Sequence, residues 1–284
     1  MNVSITLVPR GGLANRMRAI ASASALATRI GAKLNVVWIA TKDLTALYSD
    51  LFLTDNLPFR LTEYSHRKFA YLPHRRKYLY LPTLWQSVRY SLTLRDERSR
   101  DRYYLTEAEP ETVYAFFRSV GTGTVFVDTC YQFYPFSADL YRSLFRPSPN
   151  VEMRIRQLLP DIGRGIQPPI GIHIRRTDHV WSIQNSPLSL FEKEIGEIVS
   201  AEPQRKFYLA TDDDATKEHL TSLFPANIIT SPATASRSSR NGMIDGAAEM
   251  FVLSRCQMIL GSFFSSYSEA AAMLGDISLK IIKN

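Results

Sequence analysis

Short continuous apolar runs alternate along the chain with stretches in which apolar residues recur at helical spacing. The run Val3 to Val8 predicts a buried strand, and the turn Pro9-Arg10-Gly11-Gly12 follows it. From Ala14 to Ile30, Met17, Ile20, Ala21, Ser24, Ala25 and Ala27 share a helical face, and Gly31 stands where a C-cap belongs. Lys33 to Ala40 predicts a second strand, so the start of the chain is a βαβ unit of a parallel sheet. Thr124 to Asp128 predicts a further strand, and Asn150 to Leu159 a helix. Residues 160–169, rich in proline and glycine, form the candidate linker. The alternation then restarts with strands at Ile170–Ile174, Lys206–Thr211, Ile228–Ile229 and Met258–Gly261. Between and after them, helices are expected at Leu188–Ser200, Asp214–Leu223, about Ile244–Arg255 and near Ser265–Leu274. The expected fold is α/β, two Rossmann-like parallel-sheet domains over residues 1–160 and 161–284, with ligands at the carboxyl ends of strands.

Charge adds one feature to this picture. The formal net charge of the 284 residues is +7, and residues 66–102 hold ten basic and three acidic side chains, so the rest of the chain is balanced. That localisation excludes a generally basic, nucleic-acid-coating protein. In the same segment His66, Arg67, Lys68, His74, Arg75, Arg76 and Lys77 are interleaved with Phe69, Tyr71, Tyr78, Tyr80, Trp85 and Tyr90. Two readings apply: a solvated face with its aromatics turned to the core, or a patch for an acceptor or a membrane surface. MNVSITLVPR has no secretory pattern and no run is long enough to span a bilayer, so a cytoplasmic protein is expected. Cys130 and Cys256 lack metal-binding spacing, which argues for a reduced protein without structural zinc.

Four segments hold candidate chemistry. In Gly11-Gly12-Leu13-Ala14-Asn15-Arg16 the glycines admit a ligand to the backbone, and Asn15 and Arg16 are suited to a phosphate or sugar; a plain tight connection is the competing account. In Gly171-Ile172-His173-Ile174-Arg175-Arg176-Thr177-Asp178, strand alternation puts His173 and Arg175 on one face and the isoleucines on the other. The arginines then fall at the strand's carboxyl end, where a diphosphate suits their planar forks. Asp212-Asp213-Asp214 matches a short metal-holding pattern, with Asp214 expected as the helix N-cap. Ser265 and Ser266 offer donors at a helix start, either to an anion or simply as N-caps. Asp245 and Glu249 lie one turn apart, where a solvated face is the default reading.

His173-Ile174-Arg175-Arg176-Thr177-Asp178, Ala210-Thr211-Asp212-Asp213 and the turn at Ser265-Ser266 resemble, in order and spacing, three motifs of the α1,6-fucosyltransferases, the group of the rhizobial nodulation and animal core enzymes, related to the protein O-fucosyltransferases. The Gly-Gly-Leu-Ala-Asn-Arg turn is similar to a segment near the start of that superfamily's catalytic domains. The resemblance implies a GT-B fold, two Rossmann-like domains facing a cleft. It also implies inverting transfer from GDP-fucose, without metal or other cofactor, to a glycan or lipid-linked saccharide. On that reading His173 lies near the guanine, Arg175 and Ser265 or Ser266 hold the β-phosphate, and Asp245 or Glu249 binds the guanine edge. The glutamate these enzymes carry after the Arg-Arg-Thr-Asp string has no counterpart in residues 179–185, leaving Asp178 or His179 as the acceptor's base. Peripheral contact with an anionic membrane at its inner face belongs to the same expectation, and nucleic acid does not. Two rivals stand beside it: a nucleic-acid or anionic-membrane binding protein working through residues 66–102, and a nucleotide-sugar-binding protein that has lost catalysis.

Overall fold

The computed structural model describes residues 3–72, 81–95, 108–158, 167–177, 180–232, 236 and 238–284. Two compact units result, Met1–Arg146 and Pro147–Asn284. The first is built on strands β1 (Ser4–Pro9), β2 (Lys33–Ile39), β3 (Arg60–Tyr64), β4 (Leu92–Arg95) and β5 (Thr124–Thr129), in the order β3-β2-β1-β5-β4 with every pairing parallel. The second uses β6 (Ile170–Ile174), β7 (Phe207–Thr211), β8 (Ile228–Thr230), β9 (Met258–Ser262) and β10 (Ser278–Ile282), in the order β10-β9-β6-β7-β8, again all parallel. Central strands of such sheets are covered on both faces, which explains why β1 and β6 read as nearly unbroken apolar runs.

The helix Leu13–Ile30 is almost wholly buried because its alanines and serines let neighbouring elements approach from several sides. Gly31 ends it in the left-handed region at φ 67°, and the Ala32 N–H reaches back to the Ala27 carbonyl. In the second unit the isoleucines of β6 point into one core with Phe191, Ile195, Phe207, Leu209 and Leu220. Gly171 and His173 occupy the opposite face, as strand alternation requires.

The helix Pro149–Leu158, which the sequence reading assigned to the first domain, belongs to the second unit and packs on the helix Arg240–Leu253. Its Arg154 is paired with Asp245 at 2.9 Å. The division therefore falls at residues 146/147, ahead of the expected 160/161. The proline- and glycine-rich stretch proposed as linker lies largely outside the described residues. No disulfide joins Cys130 and Cys256. Among the described residues, no helix is long and apolar enough to cross a membrane.

Candidate functional site

β6 has β7 on one side and β9 on the other, so the chain order reverses beside it, the place where sheets of this kind bind ligands at the carboxyl ends of their strands. His173 on β6 is buried. Its Nδ1 lies 2.8 Å from Ser268 Oγ and 3.2 Å from Ser265 Oγ, and its ring stacks on Tyr267 with centroids 4.6 Å apart. Gly261 is the β9 residue registered against His173. A Cβ there would sit 2.8 Å from Ser268 Oγ, so the glycine is what lets the helix Ser266–Gly275 settle close enough for Ser268 to reach the imidazole. Ser265 occupies the N-cap position of that helix but makes no side-chain capping bond; its hydroxyl turns to His173 instead. Plain capping therefore does not account for it. Ser266 is half-buried at the first helical position, beside the unpaired N–H groups of the helix start.

The loop after β6 is held through its main chain. Ser262 Oγ accepts from the Arg175 N–H at 3.2 Å, and Asp212 accepts from the Arg176 N–H at 2.8 Å and the Thr177 hydroxyl at 2.6 Å. Burial lowers the Arg176 pKa, Asp213 and Asp212 oppose the shift, and its Nη2 is buried without a hydrogen-bond partner among the described residues. Asp178 and His179 lie outside the described residues.

Asp213, rather than the expected Asp214, is the N-cap of the helix Asp214–Leu223, accepting from the Thr216 N–H at 2.8 Å and its hydroxyl at 2.6 Å. Asp212 and Asp213 are thus engaged in fixing the loop and the helix start. Both carboxylates shape the site through these bonds.

Glu249 departs furthest from the sequence expectation. It is 3% exposed, no described residue donates a hydrogen bond to it, and burial pushes its pKa up to about 8, with Lys217 opposing and Asp245 adding to the shift. Tyr208 and Tyr267 lie close enough that Glu249 contributes to their raised pKa values, behind burial as the main cause. The Tyr208 hydroxyl is buried without a partner among the described residues, and the Tyr267 hydroxyl donates to the Gly246 carbonyl at 2.5 Å. Asp245, one turn earlier, is held by Arg154. The two carboxylates do not share a solvated face, because their helix Arg240–Leu253 is covered by its neighbours nearly all round. Tyr208, Ser262, Tyr267 and Ser268 were not among the expected site residues; the only sequence signal for them is their place beside or within the motifs.

The glycine turn of the first unit is built differently. Gly11 takes φ 76°, in the left-handed region, and Gly12 is the N-cap of the helix Leu13–Ile30. Arg16, expected to bind a ligand, is 1% exposed and donates to the carbonyls of Gly11 and Ile39 and to Thr41 Oγ1, with its guanidinium over Trp38. It is therefore a structural residue, and burial lowers its pKa. Asn15 keeps its Oδ1 buried without a partner. Arg10 binds both oxygens of Asp128, at 2.5 and 2.9 Å. In the basic segment, Tyr71 stacks on Phe126 and Tyr90 is buried against it, whereas Phe69 and Trp85 face outward. The core reading thus holds for Tyr71 and Tyr90 and not for Phe69 and Trp85.

No family model and no curated protein sequence matches the chain. Solved structures do match it. The fucosyltransferase NodZ from Bradyrhizobium, an α-1,6-fucosyltransferase also crystallised after soaking with GDP-fucose, superposes with a TM-score of 0.62 at 17% identity, over 95% of this chain and 92% of its own. POFUT1 in complex with GDP aligns over 98% of both chains, with a TM-score of 0.59 at 12% identity. A variant of Arabidopsis thaliana FUT1 in complex with GDP reaches 0.62 at 17% identity, over 98% of this chain and 69% of its own. The chain therefore has the GT-B-like fold of these fucosyltransferases, two Rossmann-like parallel-sheet units, each described above.

Proposed function

We propose that this chain is an inverting, metal-independent glycosyltransferase that moves fucose from GDP-fucose to a glycan or lipid-linked saccharide. The observation that carries the reading is the set of groups at the carboxyl end of β6: a buried His173 fixed by Ser265, Ser268 and Tyr267 beside the main-chain-anchored loop of Arg175. On this reading Arg175, Ser265 or Ser266 and the helix start hold the diphosphate, and His173 lies beside the guanine. Glu249 rather than Asp245 meets the guanine N1 and N2 donors, since Asp245 is already paired with Arg154 and Glu249 has no donor among the described residues. A carboxylate buried without donors is costly, and the guanine edge supplies two.

In the reaction the acceptor oxygen attacks the anomeric carbon from the face opposite the diphosphate. The bond from that carbon to the β-phosphate oxygen breaks, and the acceptor proton passes to Asp178. Arg175 stabilises the charge gathering on departing GDP. The engagement of Asp212 and Asp213 with protein donors supports a metal-free mechanism, in which EDTA leaves turnover unchanged. Calorimetric titration with GDP, UDP and ADP tests the donor class. Preference for GDP, lost in Arg175→Ala, is expected; equal affinity for all three, or undiminished binding by the variant, overturns the proposal.

A further inference from the structure

The helix Leu81–Arg89 of the first unit lies on its own protein the wrong way round. A helix on a globular surface normally turns its apolar stripe inward. Here the side turned inward holds Pro82 and Gln86, whose Nε2 donates to the carbonyls of Ala70 (2.9 Å) and Leu72 (3.3 Å). Leu81, Leu84, Trp85 and Val88, spaced as one helical face, point outward; Leu84 is 62% exposed, Val88 83%, and Leu81 and Trp85 about half. Phe69, half exposed, lies on the 3-10 turn Phe69–Tyr71 against which this helix packs. Half of the exposed large hydrophobic side chains among the described residues are therefore gathered between positions 69 and 88.

The sequence around this helix carries charge of one sign. From Tyr64 to Arg95 the chain contains no Asp or Glu, and it contains Arg67, Lys68, Arg75, Arg76, Lys77, Arg89 and Arg95. Of these, Arg67 and Arg89 are exposed among the described residues. A leucine- and tryptophan-bearing face on a basic stretch of chain, with Arg67 and Arg89 exposed, fits the boundary between the acyl chains and the headgroups of an anionic bilayer. Tryptophan is the residue type that favours that depth. The uninterrupted basic sequence from Tyr64 to Arg95 favours an anionic surface, and a nucleic acid would not call for three exposed aliphatic residues.

From this juxtaposition we infer that the helix Leu81–Arg89 is a membrane-interface helix that docks the first unit on an anionic lipid surface. Leu84, Trp85 and Val88 enter the acyl boundary while Arg67 and Arg89 meet lipid phosphates. The inference does not rest on the transferase reading, and its test contains no nucleotide, so either can fail alone.

The test uses the full chain with vesicles of phosphatidylcholine alone or of equal parts phosphatidylcholine and phosphatidylglycerol. Co-sedimentation with the anionic vesicles only is expected, together with tryptophan quenching by brominated acyl chains that is lost in Trp85→Phe. Leu84→Ser combined with Val88→Ser changes exposed positions, so the thermal melt should be retained while binding weakens by at least about tenfold. Arg67→Glu with Arg89→Glu should weaken it by about fivefold per position or more. Equal binding to both vesicle types, binding unaffected by the serine pair, or quenching that persists in Trp85→Phe overturns the inference. So does a dimer in solution that the serine pair dissociates, or single-stranded RNA that competes the protein off the vesicles.

Discussion

At the carboxyl end of β1, Arg10 holds both oxygens of Asp128, and Arg16 is enclosed by the carbonyls of Gly11 and Ile39, the Thr41 hydroxyl and Trp38. At the carboxyl end of β6, Ser262 and Asp212 fix the main chain of Arg175, Arg176 and Thr177, and the Arg176 guanidinium keeps a buried nitrogen without a partner among the described residues. The two sheets present similar basic sequence at similar positions. One side uses its arginines to complete its own fold, and the other ties down the main chain that carries them. That difference directs the search for an anionic ligand to the second unit.

The largest expected effect tests the first half of the comparison. Arg16→Ala leaves buried acceptors unmet and empties the space over Trp38, so urea denaturation should show a loss of about 3 kcal/mol or more. Protein that remains folded should bind GDP as before; a selective loss of GDP binding without loss of stability would break the contrast. Arg175→Ala should do the reverse, weakening GDP by roughly ten- to a hundredfold in calorimetry while the denaturation midpoint stays in place.

Glu249→Gln sharpens the second half. A carboxyl whose folded pKa is raised from 4.5 to about 8 contributes stability that is present below pH 4.5 and lost as pH rises through 8. The glutamine variant should therefore melt higher than the parent at pH 8 and alike at pH 4. Because the guanine edge requires the ionised carboxylate, GDP affinity of the parent should climb between pH 6 and 8, by up to about tenfold per unit, with proton release detectable by calorimetry in buffers of different ionisation enthalpy. A flat parent profile would remove Glu249 from the guanine site. The smallest effect is that of Asp213→Ala, which loses a helix cap: about 1 kcal/mol in denaturation, with turnover insensitive to added magnesium in parent and variant alike.

The strands β1, β6, β7 and β9 are legible in sequence because burial on both faces leaves unbroken apolar runs. The strands β3, β4 and β10 were missed: RLTEY, LTLR and SLKII each carry a charged side chain, and each lies at a sheet edge where burial is partial. Placement of the Arg-Arg-Thr-Asp string at a strand end was equally legible from the isoleucine alternation. Arg16 was not, since its acceptors come from Gly11 and from the end of β2, and a guanidinium behind a glycine turn looks the same whether a ligand or a carbonyl meets it. Glu249 was misread as solvated because an i, i+4 pair of acids ordinarily marks an outer face. What overrides that pattern is the packing of Pro149–Leu158 and Ser266–Gly275 on the helix that carries it.

The anchoring of the loop after β6 through Ser262 and Asp212 bears on how this site can be altered. Because those bonds end on amide hydrogens, they do not depend on which side chain stands at positions 175 and 176, proline excepted. The shape of the shelf and the ligand chemistry displayed on it are encoded in different residues. An engineer can therefore exchange the display, lysine or glutamine for arginine, and retain the shelf; an exchange at Ser262 or Asp212 changes the shelf first.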